Sequence, residues 1–367
     1  MKHLILLGCG YAHLQLLQSL AKEPMAGVQI TLISPHPRQL YFAMMPSFVA
    51  GYATLDDCTI ALQPLLQNTS VQWLQQSACA LDANARTLTL DDGSTHGYDV
   101  LSVNCGTTQD RQQIERTLPG ARKHALFVRP FETFGMLWPQ VLELGQQRPL
   151  RVSVIGAGLA GIELAFAVAR HLPNASVTLV CGPQLPACHT PAAFQQRILK
   201  TLQRRHITVL QETALSIDAE QVSLSNGARL LCDVPILASA GQAPAWLQTS
   251  ALALDDSGFI AVDALQRSSS HAQVFAAGDV SSRADCTQPH NGFHATQTGA
   301  ALVRNVRAQL AGIAPTPYTP LEQKLLLLAC GKRSAIASWG EHSAQGFWVW
   351  WLKKWLDQRA IKDLRSR

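Results

Sequence analysis

The sequence predicts an α/β fold with two Rossmann-like, three-layer domains and a small C-terminal cap. Two segments about 148 residues apart share one pattern, which is a short apolar strand, a glycine-rich turn and a helix. Each helix leads to another apolar strand, so a β-α-β unit occurs twice. Because these strands are mostly apolar, they indicate parallel sheets covered on both faces.

The two β-α-β units follow the same order. In the first, strands over residues 4–7 and 28–34 flank a helix expected over residues 14–20, and the turn reads Gly8-Cys9-Gly10-Tyr11-Ala12-His13. In the second, strands over residues 152–155 and 176–180 flank a helix expected over residues 162–172, and the turn reads Gly156-Ala157-Gly158-Leu159-Ala160-Gly161. Histidine stands in the first turn where a third glycine is usual.

Glycines in such turns have a specific chemical use. The first two let the backbone turn tightly and approach a pyrophosphate, whose charge lies at the positive end of the following helix. A single glycine turn is a weak indication, but two copies between strand and helix predict two bound dinucleotides. The alternative is a pair of structural repeats that bind no cofactor.

Composition and cysteine spacing exclude several classes of protein. The chain is 47% hydrophobic and 15% charged, as in ordinary globular proteins. Its nine cysteines are scattered without CxxC spacing, which argues against a disulfide scaffold or a zinc site and favours a reducing compartment. We therefore expect no metal and a cytoplasmic location. The apolar run at residues 4–7 ends in glycines, so it indicates a buried strand rather than a signal peptide, and no run is long enough to span a membrane.

The positive charge is concentrated in the C-terminal tail. Of the net charge of +5, +4 lies between Phe347 and Arg367, where six Lys and Arg face two Asp. The remaining 24 basic and 23 acidic residues nearly balance, so no nucleic-acid surface is expected.

Three further segments resemble the FAD-dependent pyridine nucleotide-disulfide oxidoreductase superfamily: Tyr98–Thr107, Asp233–Gly241 and Val274–Val280. Within it the sequence is similar to the type II NADH dehydrogenase-like branch, and especially to the oxidoreductase module associated with selenophosphate synthetase. The residues that carry this closer resemblance are the turn at 8–13, Tyr41–Pro46 with Ala50-Gly51, and Ala243–Leu247.

The resemblance implies how the chain is divided. The FAD domain is interrupted by the NAD(P)H domain, with FAD-binding parts at 1–122 and 244–312, the NAD(P)H-binding domain at 123–243, and the cap at 313–367. It also implies residues that contact the two cofactors, among them Asp279, which accepts hydrogen bonds from the ribityl chain of the flavin. The full set is Gly8, Gly10, Tyr11, Ala12, His13, Ser34, Pro46, Gly106, Gly156, Gly158, Gly161, Gly241, Gly278, Asp279, His294 and Ala295.

Three departures from the superfamily pattern bear on function. Rossmann units usually end the second strand with Asp or Glu for the ribose hydroxyls, but here Ser34-Pro35-His36 and Cys181-Gly182-Pro183 stand at those places. The choice between NADH and NADPH therefore stays open. The segment Tyr41–Tyr52 has no cysteine, so the redox-active CxxxxC is absent and reduced flavin must pass electrons directly to an acceptor.

Two residues are expected in the active site through the resemblance. Glu163 matches the family's glutamate beside the nicotinamide; the alternative is an ordinary carboxylate at a helix N-terminus. Gln297 matches one of two glutamines that line the acceptor channel in quinone-reducing relatives, while Phe293 stands in place of the other. The helix start around His294 and Ala295 would direct its positive end at the flavin, although His290 and His294 are equally well interpreted as solvated loop histidines.

The tail over residues 346–367 is expected to form an amphipathic helix. Trp348, Leu352, Trp355 and Leu356 would share one face, with lysines at its edge. This composition is typical of a helix lying in a membrane interface, which would place the protein on the inner face of the cytoplasmic membrane. The alternatives are a lid over the flavin domain or a contact in a homodimer.

The first functional hypothesis is an FAD-dependent NAD(P)H:acceptor oxidoreductase that reduces a quinone. The second is a soluble flavin reductase or oxidase for a sulfur- or selenium-containing small molecule. The third, from another class, is a flavin-binding redox sensor or interaction protein. The sequence does not name the electron acceptor.

Overall fold

A computed structural model describes residues 1–67, 69–283, 285, 292–320 and 325–365, and for residues 292–297 it describes the backbone only. The strands are, in chain order, β1 (Lys2–Leu7), β2 (Val28–Ile33), β3 (Arg38–Leu40), β4 (Thr59–Ala61), β5 (Val71–Leu74), β6 (Ala78–Asp82), β7 (Thr87–Leu90), β8 (Thr95–Gly97), β9 (Val100–Val103), β10 (Leu126–Phe127), β11 (Arg151–Ile155), β12 (Ser176–Val180), β13 (Thr208–Leu210), β14 (Ala214–Ile217), β15 (Gln221–Leu224), β16 (Arg229–Leu231), β17 (Val234–Leu237), β18 (Ile260–Val262), β19 (Val274–Ala276), β20 (Ser281–Arg283), β21 (Leu325–Ala329), β22 (Ala335–Trp339) and β23 (His342–Gly346).

The α-helices are α1 (Tyr11–Lys22), α2 (Met45–Val49), α3 (Leu62–Leu66), α4 (Arg111–Thr117), α5 (Ala121–His124), α6 (Phe131–Gln147), α7 (Leu159–His171), α8 (Ala192–Arg204), α9 (Gly292–Ala311) and α10 (Phe347–Arg365). Short 3₁₀ turns lie at Phe42–Met44, Asp56–Cys58, Ala245–Thr249 and Gly278–Val280.

The first domain is built on a parallel sheet in the order β19-β9-β1-β2-β5. Alternate residues of β1 enter different hydrophobic clusters, since Leu4 and Leu6 pack with the helices while Ile5 and Leu7 pack with the antiparallel sheet β6-β7-β8. Side chains on a strand alternate between faces, so both faces of this sheet are covered. The predicted three-layer α/β fold is confirmed.

The second domain repeats this plan. Its parallel sheet has the order β10-β17-β11-β12-β13, and α7 follows β11 as α1 follows β1. The antiparallel sheet β14-β15-β16 lies between β13 and β17 in the chain, as β6-β7-β8 lies between β5 and β9. Each glycine turn therefore lies at the carboxyl edge of a parallel sheet, where such folds bind ligands.

The chain passes between the domains at two paired positions. Thr108 and Gln242 form an antiparallel bridge, with N–H···O distances of 2.9 and 2.8 Å. Beyond Thr108, the side chains of Ile114, Leu118 and Ala121 already pack in the core of the second domain. We propose that the chain enters this domain near Thr108, ahead of the boundary at 122 expected from the sequence.

The C-terminal cap consists of the antiparallel sheet β21-β22-β23 and helix α10. The inner face of α10 buries Val349, Ile361 and Leu364, and Arg365 donates hydrogen bonds to backbone oxygens of Asp56 and Thr59 in the first domain. In the described part of the chain no helix is both long and apolar enough to cross a membrane.

Candidate functional site

The first glycine turn has the shape that a tight approach of two strand ends requires. Gly8 has φ +81°, and a Cβ there would meet the backbone of Cys105. A Cβ on Gly10 would overlap the amide of Asn104, whose Nδ2 donates to the carbonyl of Ala277 at 2.6 Å. Both glycines are thus required by packing inside the protein, at the point where α1 begins.

His13 takes the place of the third glycine and is fully buried. Its Nδ1 lies 2.6 Å from the carbonyl oxygen of Gly8, which can only accept, so Nδ1 carries the proton. Its Nε2 then accepts from Oγ of Ser102 at 2.8 Å. Burial lowers the pKa of His13 to about 4, although the bond to Gly8 opposes this. The ring therefore fixes the turn as a neutral group; direct contact with the cofactor stays a prediction.

Asp279 has a cationic neighbour that the sequence analysis missed. Its Oδ2 lies 3.9 Å from Nη2 of Arg129, whose guanidinium also lies over the ring of Phe42 at 4.4 Å. The backbone N–H of Arg129 donates to Gln109, which in turn bonds to the second sheet. Arg129 follows β10 by two residues and belongs to no motif, so only the fold brings it to Asp279.

The other residues predicted to bind FAD lie around this edge of the first sheet. Tyr11 is buried, burial raises its pKa, and its hydroxyl accepts from the N–H of Phe42 at 2.9 Å. Ala12 is buried within α1, and Ser34 is buried just after β2. Gly106 and Gly278 have φ of +71° and +74°, and a Cβ on Gly106 would project into open space.

In the second glycine turn, Gly158 is the glycine beside which a side chain would have free space. A Cβ on Gly156 or Gly161 would strike backbone atoms, of Ala238 and of Gly156 respectively. A Cβ on Gly158 would meet nothing within 4 Å, and its φ of −64° is open to any residue. Gly158 immediately precedes α7, so the space beside it lies at the positive end of a helix, where a pyrophosphate fits.

Gly241 lies where the two connections between the domains touch. A Cβ there would overlap the side chain of Thr107, and Thr107 Oγ1 is itself a buried oxygen without a hydrogen-bond partner among the described residues. A buried hydroxyl without a partner is uncommon, so this atom is a suitable contact for a bound cofactor. Gly241 and Thr107 thus lie in contact at this junction, and their binding of a cofactor stays a prediction.

Glu163 lies in a buried cluster of charges. Its Oε1 accepts from the N–H of Ala329 in β21 at 2.7 Å and lies 3.8 Å from Nζ of Lys353 in α10. Lys353 also donates to Asp357 at 2.9 Å and to the carbonyl of Ala43 at 3.3 Å. Burial raises the pKa of both carboxyls, and the ammonium of Lys353 opposes that rise in each. Burial alone would lower the pKa of Lys353, but Asp357 and Glu163 raise it.

Of this cluster, Glu163 lines a small pocket between α7, α2 and the cap, whose free volume of about 10 Å³ is close to that of one water molecule. Glu163 shares the pocket with Pro46 and Ala50 of the first domain, Tyr52, and Trp350 of α10. Pro46, which was predicted to contact the cofactor, thus lies at the same pocket as Glu163. The sequence could not show this, because the residues come from three distant parts of the chain.

The tail helix corrects one sequence expectation. Its lysines were expected at the edge of a lipid-facing surface, but Lys353 is only 8% exposed and points into the protein. Val349, Lys353 and Asp357 are four residues apart, so all three lie on the inner face of the helix. Lys354 is exposed, as expected. Trp348, Trp351 and Trp355 face outward and so do not form a lid. Trp350 is half-buried and packs against the ring of Tyr52, with ring centroids 5.5 Å apart.

Gln297, His294 and Ala295 fall in the first turns of α9, where the backbone alone is described, and His290 lies outside the described residues. The cysteines at strand ends carry thiols of raised pKa. Burial raises the pKa of Cys105 to about 12 and that of Cys9 further, so both stay protonated.

Comparison with known proteins adds to this geometry. A family model described as "Pyridine nucleotide-disulphide oxidoreductase" matches residues 2–305. Oxidoreductase ptaL from Pestalotiopsis fici is 26% identical over 382 residues, which cover 97% of this chain and 96% of that protein. A sulfide-quinone reductase from Aquifex aeolicus is 30% identical over 108 residues, 29% of this chain and 24% of that protein. A type II NADH:quinone oxidoreductase from Staphylococcus haemolyticus is 24% identical over 183 residues, 47% of this chain and 44% of that protein.

Two solved structures have the same fold over nearly their whole length. The sulfide:quinone oxidoreductase of Aquifex aeolicus matches with a TM-score of 0.81 and 16% identity, covering all of this chain and 92% of that one. NDH2 of Plasmodium falciparum, solved in complex with NADH, matches with a TM-score of 0.80 and 14% identity, covering 99% and 97%.

Proposed function

Because this chain belongs to the pyridine nucleotide-disulphide oxidoreductase family, with FAD and NAD(P)H as its cofactors, we propose that it passes electrons from NAD(P)H through FAD to a quinone-type acceptor. The observation that carries the proposal is the buried carboxyl of Glu163, which lies with Trp350 of the tail helix at the contact between the second domain and the cap. Relatives named for quinone reduction support the choice of acceptor.

The residues of the two turns would bind and orient the cofactors, and FAD supplies the relay between a two-electron donor and the acceptor. The space at Gly158 and the positive end of α7 would hold the pyrophosphate of NAD(P)H, with Gly156, Gly161 and Gly241 shaping that site. The cofactor contacts predicted at Ser34, His294 and Ala295 belong to the same proposal, as does an acceptor contact at Gln297.

Glu163 would act as a proton donor to the acceptor. Reduction of a quinone to a quinol takes up two electrons and two protons, of which reduced FAD would supply both electrons and one proton, and Glu163 the other proton. Burial raises the pKa of the Glu163 carboxyl, so it holds a proton at higher pH than an exposed glutamate, and it forms part of the pocket wall. Lys353 limits this rise, because its ammonium stabilises the ionised form that remains after the proton leaves.

The outward face of α10 would rest on a membrane surface from which a long-chain quinone enters. Trp348, Trp351 and Trp355 are 58%, 56% and 42% exposed, and Trp339 of the cap sheet is 60% exposed. Exposed aromatic residues of this density mark an interaction surface. Basic residues border them, with Arg359 over the ring of Trp355 at 5.3 Å, a composition suited to anionic lipid.

The test separates the half-reactions. Pre-reduced protein is mixed with a short-chain quinone, and flavin absorbance is followed by stopped flow. We expect rapid reoxidation, and Glu163→Gln should slow it about tenfold or more. Although Glu163 is predicted to lie beside the nicotinamide, flavin reduction by NADH should slow much less, because hydride transfer needs no acid on the protein. Reoxidation that is faster with persulfides than with quinones would favour the soluble sulfur reductase. Slow turnover with every acceptor would favour the sensor, and either result would overturn the proposal.

A second experiment tests whether the exposed tryptophans of α10 bind a membrane. The triple variant Trp348→Ala, Trp351→Ala, Trp355→Ala should lose sedimentation with anionic liposomes and lose activity with long-chain quinones, but keep activity with short-chain ones. The matched control replaces three exposed apolar residues elsewhere, Met136, Leu144 and Leu185, by alanine. Equal loss in both triple variants would argue against a membrane surface, and a wild-type dimer broken only by the tryptophan variant would assign the face to a homodimer.

A further inference from the structure

The second domain lacks the acidic residue that usually recognises the ribose of a dinucleotide. That residue ends the second strand of the unit and accepts from the ribose hydroxyls. Here β12 ends at Val180 and is followed by Cys181 and Gly182, neither of which carries a carboxylate. A Cβ on Gly182 would meet nothing within 4 Å, so the place normally filled by that side chain is open.

The neighbouring strand brings the backbone of a glutamate to this place. The pairing of β12 with β13 continues past both strand ends, because Cys181 N–H donates to the carbonyl of Leu210 at 2.9 Å and Gly182 N–H donates to the carbonyl of Glu212 at 3.0 Å. The backbone of Glu212 is therefore in direct contact with the backbone of Gly182. A glutamate side chain is long enough to reach from there into the space beside Gly182.

The carboxylate of Glu212 is held by its own domain and keeps one oxygen for a ligand. Ser225, in the turn after β15, accepts from the N–H of Thr213 at 2.9 Å and donates to Oε2 of Glu212. Among the described residues no donor meets Oε1 of Glu212. The side chain is half-buried, so it is partly ordered by the protein yet reachable from solvent.

The charge around this edge favours a ribose without a phosphate. From Cys181 to Gln196 the chain contains no lysine or arginine, so no basic side chain of that loop stands ready to pair with a 2′-phosphate. A carboxylate repels such a phosphate but accepts hydrogen bonds from free hydroxyls. The glycine turn, the open place at Gly182 and Glu212 lie along one edge of one sheet, as a dinucleotide extends from its pyrophosphate to its ribose.

We infer that Glu212, at the end of β13, recognises the ribose hydroxyls of the nicotinamide dinucleotide in place of the missing acid after β12, and that it makes the protein selective for NADH over NADPH. This inference rests on the proposed use of a nicotinamide dinucleotide at the second turn and does not depend on the identity of the acceptor. Glu212 is a specificity residue, since it contacts the ribose and lies apart from the reacting ring.

The experiment measures flavin reduction in the FAD-loaded protein at a series of NADH and NADPH concentrations, by stopped flow. Glu212→Gln should lower the NADH-to-NADPH ratio of kcat/KM by about tenfold or more, the change expected on losing one hydrogen bond to a charged group. The change should lie mainly in KM, because the limiting rate of reduction is set at the nicotinamide end. Ser225→Ala should shift the ratio in the same direction by a smaller factor, since it frees the carboxylate without removing its charge.

Glu220→Gln is the matched control, an exposed glutamate of the same domain at the turn before β15, and it should leave the ratio unchanged. The inference is overturned if wild-type protein reduces its flavin equally well with both nucleotides, or if Glu212→Gln and Glu220→Gln give the same ratio. If neither nucleotide binds in a calorimetric titration, the proposed function fails together with the inference. If NADH is preferred through Glu212 but quinones do not reoxidise the flavin, only the proposed acceptor fails.

Discussion

Replacement of Lys353 by methionine should destabilise the protein strongly in spite of the similar size of the two side chains. The ammonium of Lys353 lies 2.9 Å from Asp357 and 3.8 Å from Glu163, and all three side chains are nearly buried, at 10% to 13% exposure. Methionine keeps the apolar stem but leaves both carboxylates without their cation. Removing one partner of a buried ion pair costs about 3–5 kcal/mol, because an uncompensated charge stays behind.

The loss should depend on pH in a direction that the pKa shifts determine. The pKa of Lys353 is raised in the folded protein, so its contribution is fully present below the ordinary lysine pKa, about 10.4, and is lost only as pH rises through the folded value. Burial raises the pKa of Glu163 and Asp357, so keeping them ionised costs free energy above the ordinary carboxyl pKa of about 4. Without Lys353 that cost grows, and it disappears as acid protonates both groups.

The measurement is urea unfolding at pH 8 and pH 5, followed by circular dichroism. Lys353→Met should lose most of its stability relative to wild type at pH 8 and much less at pH 5, and adding Asp357→Asn should restore part of the loss at pH 8. Lys354→Met is the control, because Lys354 is exposed and only lies over the ring of Trp350 at 5.5 Å. A loss at pH 8 no larger than that of the control would refute the reasoning, as would a loss that is independent of pH.

Two further predictions concern the glycine turns. Gly158→Val should abolish flavin reduction by NADH while FAD stays bound and the unfolding free energy is preserved, because the valine side chain would enter only the space proposed for the pyrophosphate. The control Gly156→Val should instead misfold, because its side chain strikes the backbone of Ala238. Unaltered flavin reduction in Gly158→Val would contradict the proposed pyrophosphate site. His13→Gln should remove a fall in stability of up to about 3 kcal/mol between pH 6.5 and pH 4. That fall arises because the pKa of His13 is lowered to about 4 in the folded protein, so the unfolded chain takes up the proton at a higher pH than the folded protein does. The unfolding free energy measured as a function of pH tests this. The control is His36→Gln, at an exposed histidine, which should keep the fall.

Local patterns were sufficient to predict the fold, but they could not predict the charge cluster. Glycine turns between apolar strands and helices depend on neighbours within a few residues, so both Rossmann-like units could be read from the chain. Glu163 could be predicted as a site residue for the same reason, because it follows Gly161 by two residues in a motif. Its partners Lys353 and Asp357 lie about 190 residues away, and only the packing of α10 against α7 and β21 brings them together.

In the tail helix, the exposure of the tryptophans was predicted correctly, but the burial of Lys353 was not. The sequence placed Trp348 and Trp355 on one face of a helix, and both are exposed as that interpretation requires. Lysine is rarely buried, so assigning Lys353 to the solvent edge followed the usual rule. The rule fails here because two acids of other elements and of its own helix offset the cost of burying the ammonium. Arg129 was missed for a similar reason, since its role depends on Asp279, which lies 150 residues further along the chain.

The bridge between Thr108 and Gln242 also bears on how such a protein could diversify. The second domain is inserted into the first, and its two ends lie side by side at this bridge. An insertion with adjoining ends can be exchanged as a unit, because the host chain needs only a short turn to close the gap. Glu212 lies inside the inserted unit, whereas the tail helix lies outside it. Exchange of this unit would therefore replace Glu212 and Glu163 together, the residues proposed to recognise the electron donor and to protonate the acceptor, while the tail helix with Lys353 stayed in place.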